Sequence, residues 1–269
     1  MTSQRLDLPP AELDRLRRRT LRTLVAGVAL GSTGHIAAAT VATIVAQHIA
    51  GGTAWSGAPG ATVVLGAATG AVVLSQLMVR AGRRTGLAAG YGTGVVGALV
   101  ATWAVVAASF PILLVGTFLI GFGNASNQLS RYVAADLYPA DRRASALGTV
   151  VWGATIGAVI GPNLAAPAST FAAALGLPDL AGAYLVPVVF VGVAALMTFF
   201  ALRPDPYALA DTSSVHDQVD RERGTALALS SVLRRPNVPV AIVALVTVMV
   251  VMVLIMTMTP LHMTEHGHD

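Results

Sequence analysis

Four stretches of this 269-residue chain constrain everything else. Residues 23–79, 85–130 and 236–264 contain no Asp, Glu, Lys or Arg, and residues 144–202 contain one, Asp179. An α-helix rises ~1.5 Å per residue, so ~20 apolar residues cross the ~30 Å hydrocarbon core of a bilayer. The blocks 23–79, 85–130 and 144–202 each hold two such crossings and 236–264 holds one, which predicts seven spans. A soluble domain of this size carries about a quarter charged residues; this chain carries 11%, and its apolar residues run on instead of alternating with polar ones. In lipid every backbone N–H and C=O must be satisfied within the segment. The expected fold class is therefore all-α, a polytopic transmembrane helix bundle.

The charges fix its orientation. All 17 basic residues are arginine. They fall in four clusters: before the first block (Arg5 to Arg22), at Arg80–Arg84, at Arg131–Arg143 and at Arg203–Arg235. With seven spans every cluster lands on one side, and the opposite connections (47–59, 109–111 and 167–182) carry none. This is the positive-inside bias, so the N-terminus is expected on the cytoplasmic side of the cell (inner) membrane. Lipid headgroups suffice as partners for this basic charge, and nucleic acid is not expected. A cleaved signal peptide is excluded because the first apolar stretch runs on past any cleavage site and six more spans follow. Cysteine is absent, so neither disulfides nor a thiolate metal site can form.

The chain divides into a cytoplasmic lead-in (1–21), a six-helix domain (22–202), a cytoplasmic linker (203–236) and a seventh helix with a short outer tail (237–269). In the lead-in, Pro9-Pro10 before AELDRLRRR reads as a short helix start, its arginines at headgroup level or simply solvated. ALALSSVLRR in the linker has an apolar helical pattern suited to lying along the membrane face. Gly27/Gly31, Gly66/Gly70 and Gly90/Gly94 repeat at the four-residue spacing that lets helices approach closely in lipid. Gly153, Gly157 and Gly161 bare one whole face of the fifth span, and Pro162 then predicts a kink. The inner half of the fourth span is polar: Asn124, Ser126, Asn127, Gln128 and Arg131.

At RxxxxADLYPADRR and GxxxGP the chain resembles the major facilitator superfamily of transporters, whose fold is two six-helix halves joined by a cytoplasmic loop. Gly82-Arg83-Arg84 is similar to the end of the loop motif GxxxDxxGR[RK], with Ser75 and Val79 replacing its first glycine and its aspartate. Thr117, Ile120, Gly121, Gly123 and Ala125 stand where RxxQGxGxA would be, without its arginine and glutamine. Gly157-xxx-Gly161-Pro162 is similar to GxxxGPxxGG of the fifth span. The resemblance covers residues 20–262 and implies a six-helix N-terminal domain followed by the first helix of a second, incomplete domain. Relative to twelve-span members the chain is expected to be truncated and to lack a C-terminal half.

The resemblance implies secondary active transport of a small solute, of the drug or metabolite efflux type, by alternating access and driven by protons. It also implies a cytoplasmic gate between loops, assigned to Arg80, Arg83, Arg84, Arg131, Asp136 and Arg142, with Arg83 paired to Asp136. His35 lies mid-span and titrates near neutrality, which makes it the proton-coupling candidate; it could equally be a neutral histidine bonded to a neighbouring helix. Asn124, Asn127, Gln128 and Trp152 are the substrate-path candidates. No nucleophile triad, phosphate loop or paired catalytic carboxylates stand out, so an enzyme is not expected, nor a cofactor. Two rival readings stay open. One is a non-transporting fragment. The other is copper or zinc capture by the tail, where Met256, Met258, His262, His266 and His268 supply soft and imidazole ligands.

Overall fold

The computed structural model describes residues 9–209 and, further on, residues 238–241, 243, 244, 247, 248 and 251. Met1–Ser214 form one compact unit and Val215–Asp269 a second. The first contains α1 (Pro10–Ala50), α2 (Ala58–Ala81), α3 (Arg83–Val106), α4 (Phe110–Asp136), α5 (Ala140–Asn163), a short α6 (Ala165–Ala174), α7 (Gly182–Ala201) and a single turn, α8 (Pro206–Leu209). Among the described residues, α1–α5 and α7 are the six helices long and apolar enough to cross a membrane. The protein is an all-α, multi-pass membrane bundle. In the second unit the described residues are helical, and the Thr247 hydroxyl donates to the Val243 carbonyl (2.8 Å). The rest of the expected seventh span, the ALALSSVLRR segment and the Met/His tail lie outside the described residues.

Within the first unit α1 packs against α5, α7 and α4, and α4 against α3, α2, α1 and α5. Helices gain little from excluding water from one another inside lipid, so close contact must hold them. The glycines supply it. A Cβ on Gly157 would lie 2.6 Å from the Ala29 carbonyl and 2.5 Å from Ser32 Cβ, and one on Gly153 would lie 2.6 Å from the Val25 carbonyl. The bare face of α5 is therefore pressed onto the backbone of α1. Gly66 and Gly70 of α2 seat against Phe118 and Phe122 of α4, and Gly94 of α3 against Gly123 of α4.

Apolar side chains fill the two ends. Leu24, Val28, Met78, Leu87, Val133, Leu137 and Leu202 are buried together at the arginine-bearing end. Val45, Ala101, Ala104, Leu113 and Tyr184 close the opposite one.

Three local expectations are corrected. The helix starts at Pro9-Pro10 as expected, but it does not stop before the first span: α1 runs 41 residues without a break, about 60 Å at 1.5 Å per residue. Pro10 occupies its first position, where a missing N–H costs nothing, and no glycine or proline interrupts the stretch from Ala11 to Ala26. The connection at 167–182 is not plain loop: AAPASTFAAA forms α6, with Pro167 in its first turn, where N–H groups lack intrahelical partners. Pro162 is the penultimate residue of α5, so it ends that helix rather than kinking it.

Candidate functional site at the bundle midplane and the arginine-bearing end

Between the two apolar ends lies a polar layer built by α1, α3 and α4. Asn127 Nδ2 donates to Ser32 Oγ (2.7 Å) and its Oδ1 accepts from the Tyr91 hydroxyl (2.9 Å). The Ser126 hydroxyl donates to the Leu87 carbonyl (3.0 Å). Gly31 makes room, since a Cβ there would lie 2.6 Å from Asn127 Oδ1. Asn127 is thus a buried link between three helices, with both ends of its amide occupied. Gln128 is exposed and accepts a hydrogen bond from Arg131 one turn on. Asn124 is half-buried on the same side of α4 as Gln128. Trp152 is 71% exposed and is not packed inside this unit.

His35 sits beside that layer. Its Nδ1 lies 2.6 Å from the Gly31 carbonyl; a carbonyl only accepts, so Nδ1 carries the hydrogen and neutral Nε2 keeps its lone pair. Nε2 is buried without a hydrogen-bond partner among the described residues. It faces Gly123 of α4, where an added Cβ would come within 2.8 Å. The second glycine of the RxxQGxGxA-like stretch is therefore the floor under the imidazole. At the arginine position of that motif, Thr117 is buried, with its hydroxyl 2.7 Å from that of Thr62 on α2. A neutral contact replaces the charge there.

The second locus is at the arginine-bearing end. Arg83 Nη2 lies 3.2 Å from Asp136 Oδ2, with side chains only 15% and 19% exposed. Each charge stands where its own helix dipole opposes it: Arg83 opens α3, at the positive end, and Asp136 closes α4, at the negative end. Their pairing offsets both penalties. Arg84 lies over the Phe199 ring of α7 (5.4 Å to its centre). Arg142 is 3.8 Å from its neighbour Asp141, and both are largely exposed. Arg80 is exposed at the end of α2.

One participant was not legible in the sequence. Asp205 accepts from the backbone N–H groups of Arg83 (Oδ1, 3.3 Å) and Arg84 (Oδ2, 3.1 Å), capping α3 from 121 residues away. Gly82 before it has φ +94, and a Cβ there would meet Asp205 Oδ2 at 2.5 Å. Leu209, four residues on, is buried among Leu24, Leu87 and Leu137, and its carbonyl accepts from Arg17 Nε (3.1 Å). The segment through Leu209, expected to belong to the linker, is part of the six-helix unit. Asp205→Ala should lower stability by about 1 kcal/mol, the usual value of a helix cap, whereas Asp205→Asn should keep most of it. Thermal unfolding in detergent reads both; equal loss in the two would mean that the charge, not the cap, matters.

Among the described residues no group of His, Cys, Asp and Glu is arranged to hold a metal ion; His262, His266 and His268 lie outside them.

The description of the Major Facilitator Superfamily matches residues 57–269. The chain is 35% identical over 260 residues to the uncharacterized MFS-type transporter YdeG of Bacillus subtilis (strain 168), which covers 97% of this chain and 60% of that protein. It is 33% identical to the uncharacterized MFS-type transporter YddS of the same organism, over 96% of this chain and 60% of the relative. The riboflavin transporter RfnT of Brucella anthropi is 29% identical over 93% of this chain and 60% of its own length. The chain belongs to the major facilitator superfamily, a class of transporters and not of enzymes. It spans about 60% of the length of the curated relatives it matches.

Proposed function

We propose that this chain serves secondary active transport of a small solute by alternating access, with a proton as the coupling ion. The observation that carries the reading is His35, an imidazole buried mid-span with Nδ1 on the Gly31 carbonyl and Nε2 against Gly123, the Ile120 backbone also within reach of the ring. An intramembrane imidazole is an ionisable group whose charge can change near neutral pH. The Ser32–Asn127–Tyr91 link ties its surroundings to α3 and α4, so a change of charge at His35 would be felt by three helices. Asn124, half-buried, and Gln128, exposed, stand on one side of α4 and are the substrate-path candidates this reading keeps.

In this reading Arg83–Asp136 is the gate, with Asp205 bracing the start of α3, and the arginine-bearing end faces the cytoplasm across the inner membrane. Antiport in the efflux direction fits the Gly157–Gly161–Pro162 resemblance.

The test is counterflow and pH-driven flux in proteoliposomes. Riboflavin, the solute in the name of the Brucella relative, and ethidium, a drug-like cation, are the first probes. His35→Ala is expected to leave counterflow and to remove acceleration by a proton gradient. Variant transport with the pH dependence intact would refute the coupling role. Absence of flux for a broad panel of solutes in the unaltered chain would refute transport by this chain.

A further inference from the structure

The first three turns of α1 carry charge that neither the bundle nor the gate uses. Arg15, Arg18, Arg19 and Arg22 are all exposed, and their i, i+3, i+4, i+7 spacing puts them on one helix face. The opposite face, Leu13, Leu16, Thr20 and Leu24, packs inward onto the apolar cluster. This amphipathic stretch is rigid because it is continuous with a span. Its height follows from the geometry. Arg22 is the last charge before the apolar run, so it marks the hydrocarbon edge. Arg18 and Arg19 lie about 5 Å beyond it and Arg15 about 10 Å beyond. The headgroup layer is about 5–8 Å deep on each side. Arg18, Arg19 and Arg22 therefore stand at lipid-phosphate depth.

The turn between α4 and α5 completes the surface. Burial pushes the Tyr138 phenol above its usual range, while Arg18 and Arg17 pull it back, Asp14 raises it and Arg142 lowers it. Tyr138 packs against the same apolar cluster as Leu13 and Leu16 of α1, which brings the charges of Arg17, Arg18, Arg142 and Asp14 close enough to act on its hydroxyl; the phenol stays protonated at neutral pH and can donate. Arg143 Nε holds the Tyr138 carbonyl (3.3 Å) and Arg17 is fixed to Leu209, so the framework is braced. Arg18 forms no ion pair or hydrogen bond among the described residues, and Arg142 has only the long, exposed contact to Asp141.

We propose that Arg18, Arg142 and the Tyr138 hydroxyl, with Arg19 and Arg22 alongside, form a binding surface for the phosphate of an anionic phospholipid headgroup. Guanidinium groups match phosphate oxygens in pairs, and a neutral phenol adds a donor without adding charge. Topology-setting arginines alone would attract anionic lipid through a diffuse field, with no particular residue mattering more than another.

The experiment measures lipids retained by the purified full chain in mixed phosphatidylglycerol and phosphatidylcholine, by native mass spectrometry. The unaltered chain should prefer phosphatidylglycerol. Arg18→Gln with Arg142→Gln should reduce that preference about tenfold. The control pair Arg80→Gln with Arg131→Gln removes equal charge from the same end and should change it less than about twofold. Tyr138→Phe keeps every charge, and hence the topology, and should weaken the preference about threefold. Equal losses in the two arginine pairs, or no loss in Tyr138→Phe, would overturn the proposal. So would displacement of the lipid by millimolar inorganic phosphate, which would mark a site for a soluble anion.

Discussion

Gly157→Leu is expected to leave little folded protein in the membrane, and Gly157→Ala to lower thermal stability measurably. Even a single methyl would sit 2.5–2.7 Å from Ser32 Cβ, the Ala29 carbonyl and the Thr33 nitrogen. Two of those three atoms are backbone, and α1 cannot retreat from them without breaking its contacts to α7 and α4. Overpacking costs about 1–3 kcal/mol where side chains can yield, and more where they cannot. We therefore expect about 2 kcal/mol for alanine and loss of the bundle for leucine. Gly148 on the same helix has open space around it. Gly148→Ala should be neutral or stabilising by up to about 1 kcal/mol, because alanine is the better helix former. Fluorescence-detected size exclusion after a heat step separates the cases. A Gly157→Leu protein that melts with the unaltered one would show that α1 and α5 do not meet through bare backbone.

The second large effect concerns the charge pair at the arginine-bearing end. Asp136→Asn and Arg83→Gln should each impair solute flux at least about tenfold, and the exchange Arg83→Asp with Asp136→Arg should restore part of it. Removing one member leaves the other at the helix end that disfavours it. At 15% and 19% side-chain exposure the loss should fall between that of a surface pair (under about 1 kcal/mol) and a fully buried one (about 3–5 kcal/mol), so about 2 kcal/mol. The exchange keeps the attraction and also places each charge at the dipole end that favours it, so it should be more stable than either single variant. Flux and unfolding of the four proteins form a cycle. Single variants that each transport normally would remove this pair from the gate.

Both predictions rest on features that differ in how far the chain alone reveals them. The six-helix bundle could be read from the charge-free blocks, because lipid admits only segments that satisfy their own backbone. The glycine faces could be read because small residues every four positions lie along one ridge. Arg83 and Asp136 could be paired because the family resemblance implies a charge relay between two turns that the alternation of spans puts on one side. The helical form of 165–174 was hidden because Pro167 looks like a breaker until its place in the first turn is known. Asn127 was legible as a polar group that must avoid lipid, but not as a closed link between Ser32 and Tyr91.

The sequence by itself determined which segments cross the bilayer, which end carries the arginines and which helix faces are smooth enough to touch. Each is a local property: the free energy of immersing a residue in lipid depends on that residue, and a helix repeats with a fixed period. Only the tertiary structure decided that Asp205 caps α3, that Gly123 lies beneath His35 Nε2 and that Arg18 of α1 comes within electrostatic reach of Tyr138 after α4. These pairs lie from 88 to 122 positions apart, and no local preference encodes them. They exist because packed helices, once pressed together through their glycines, leave each side chain only one neighbourhood in which to sit.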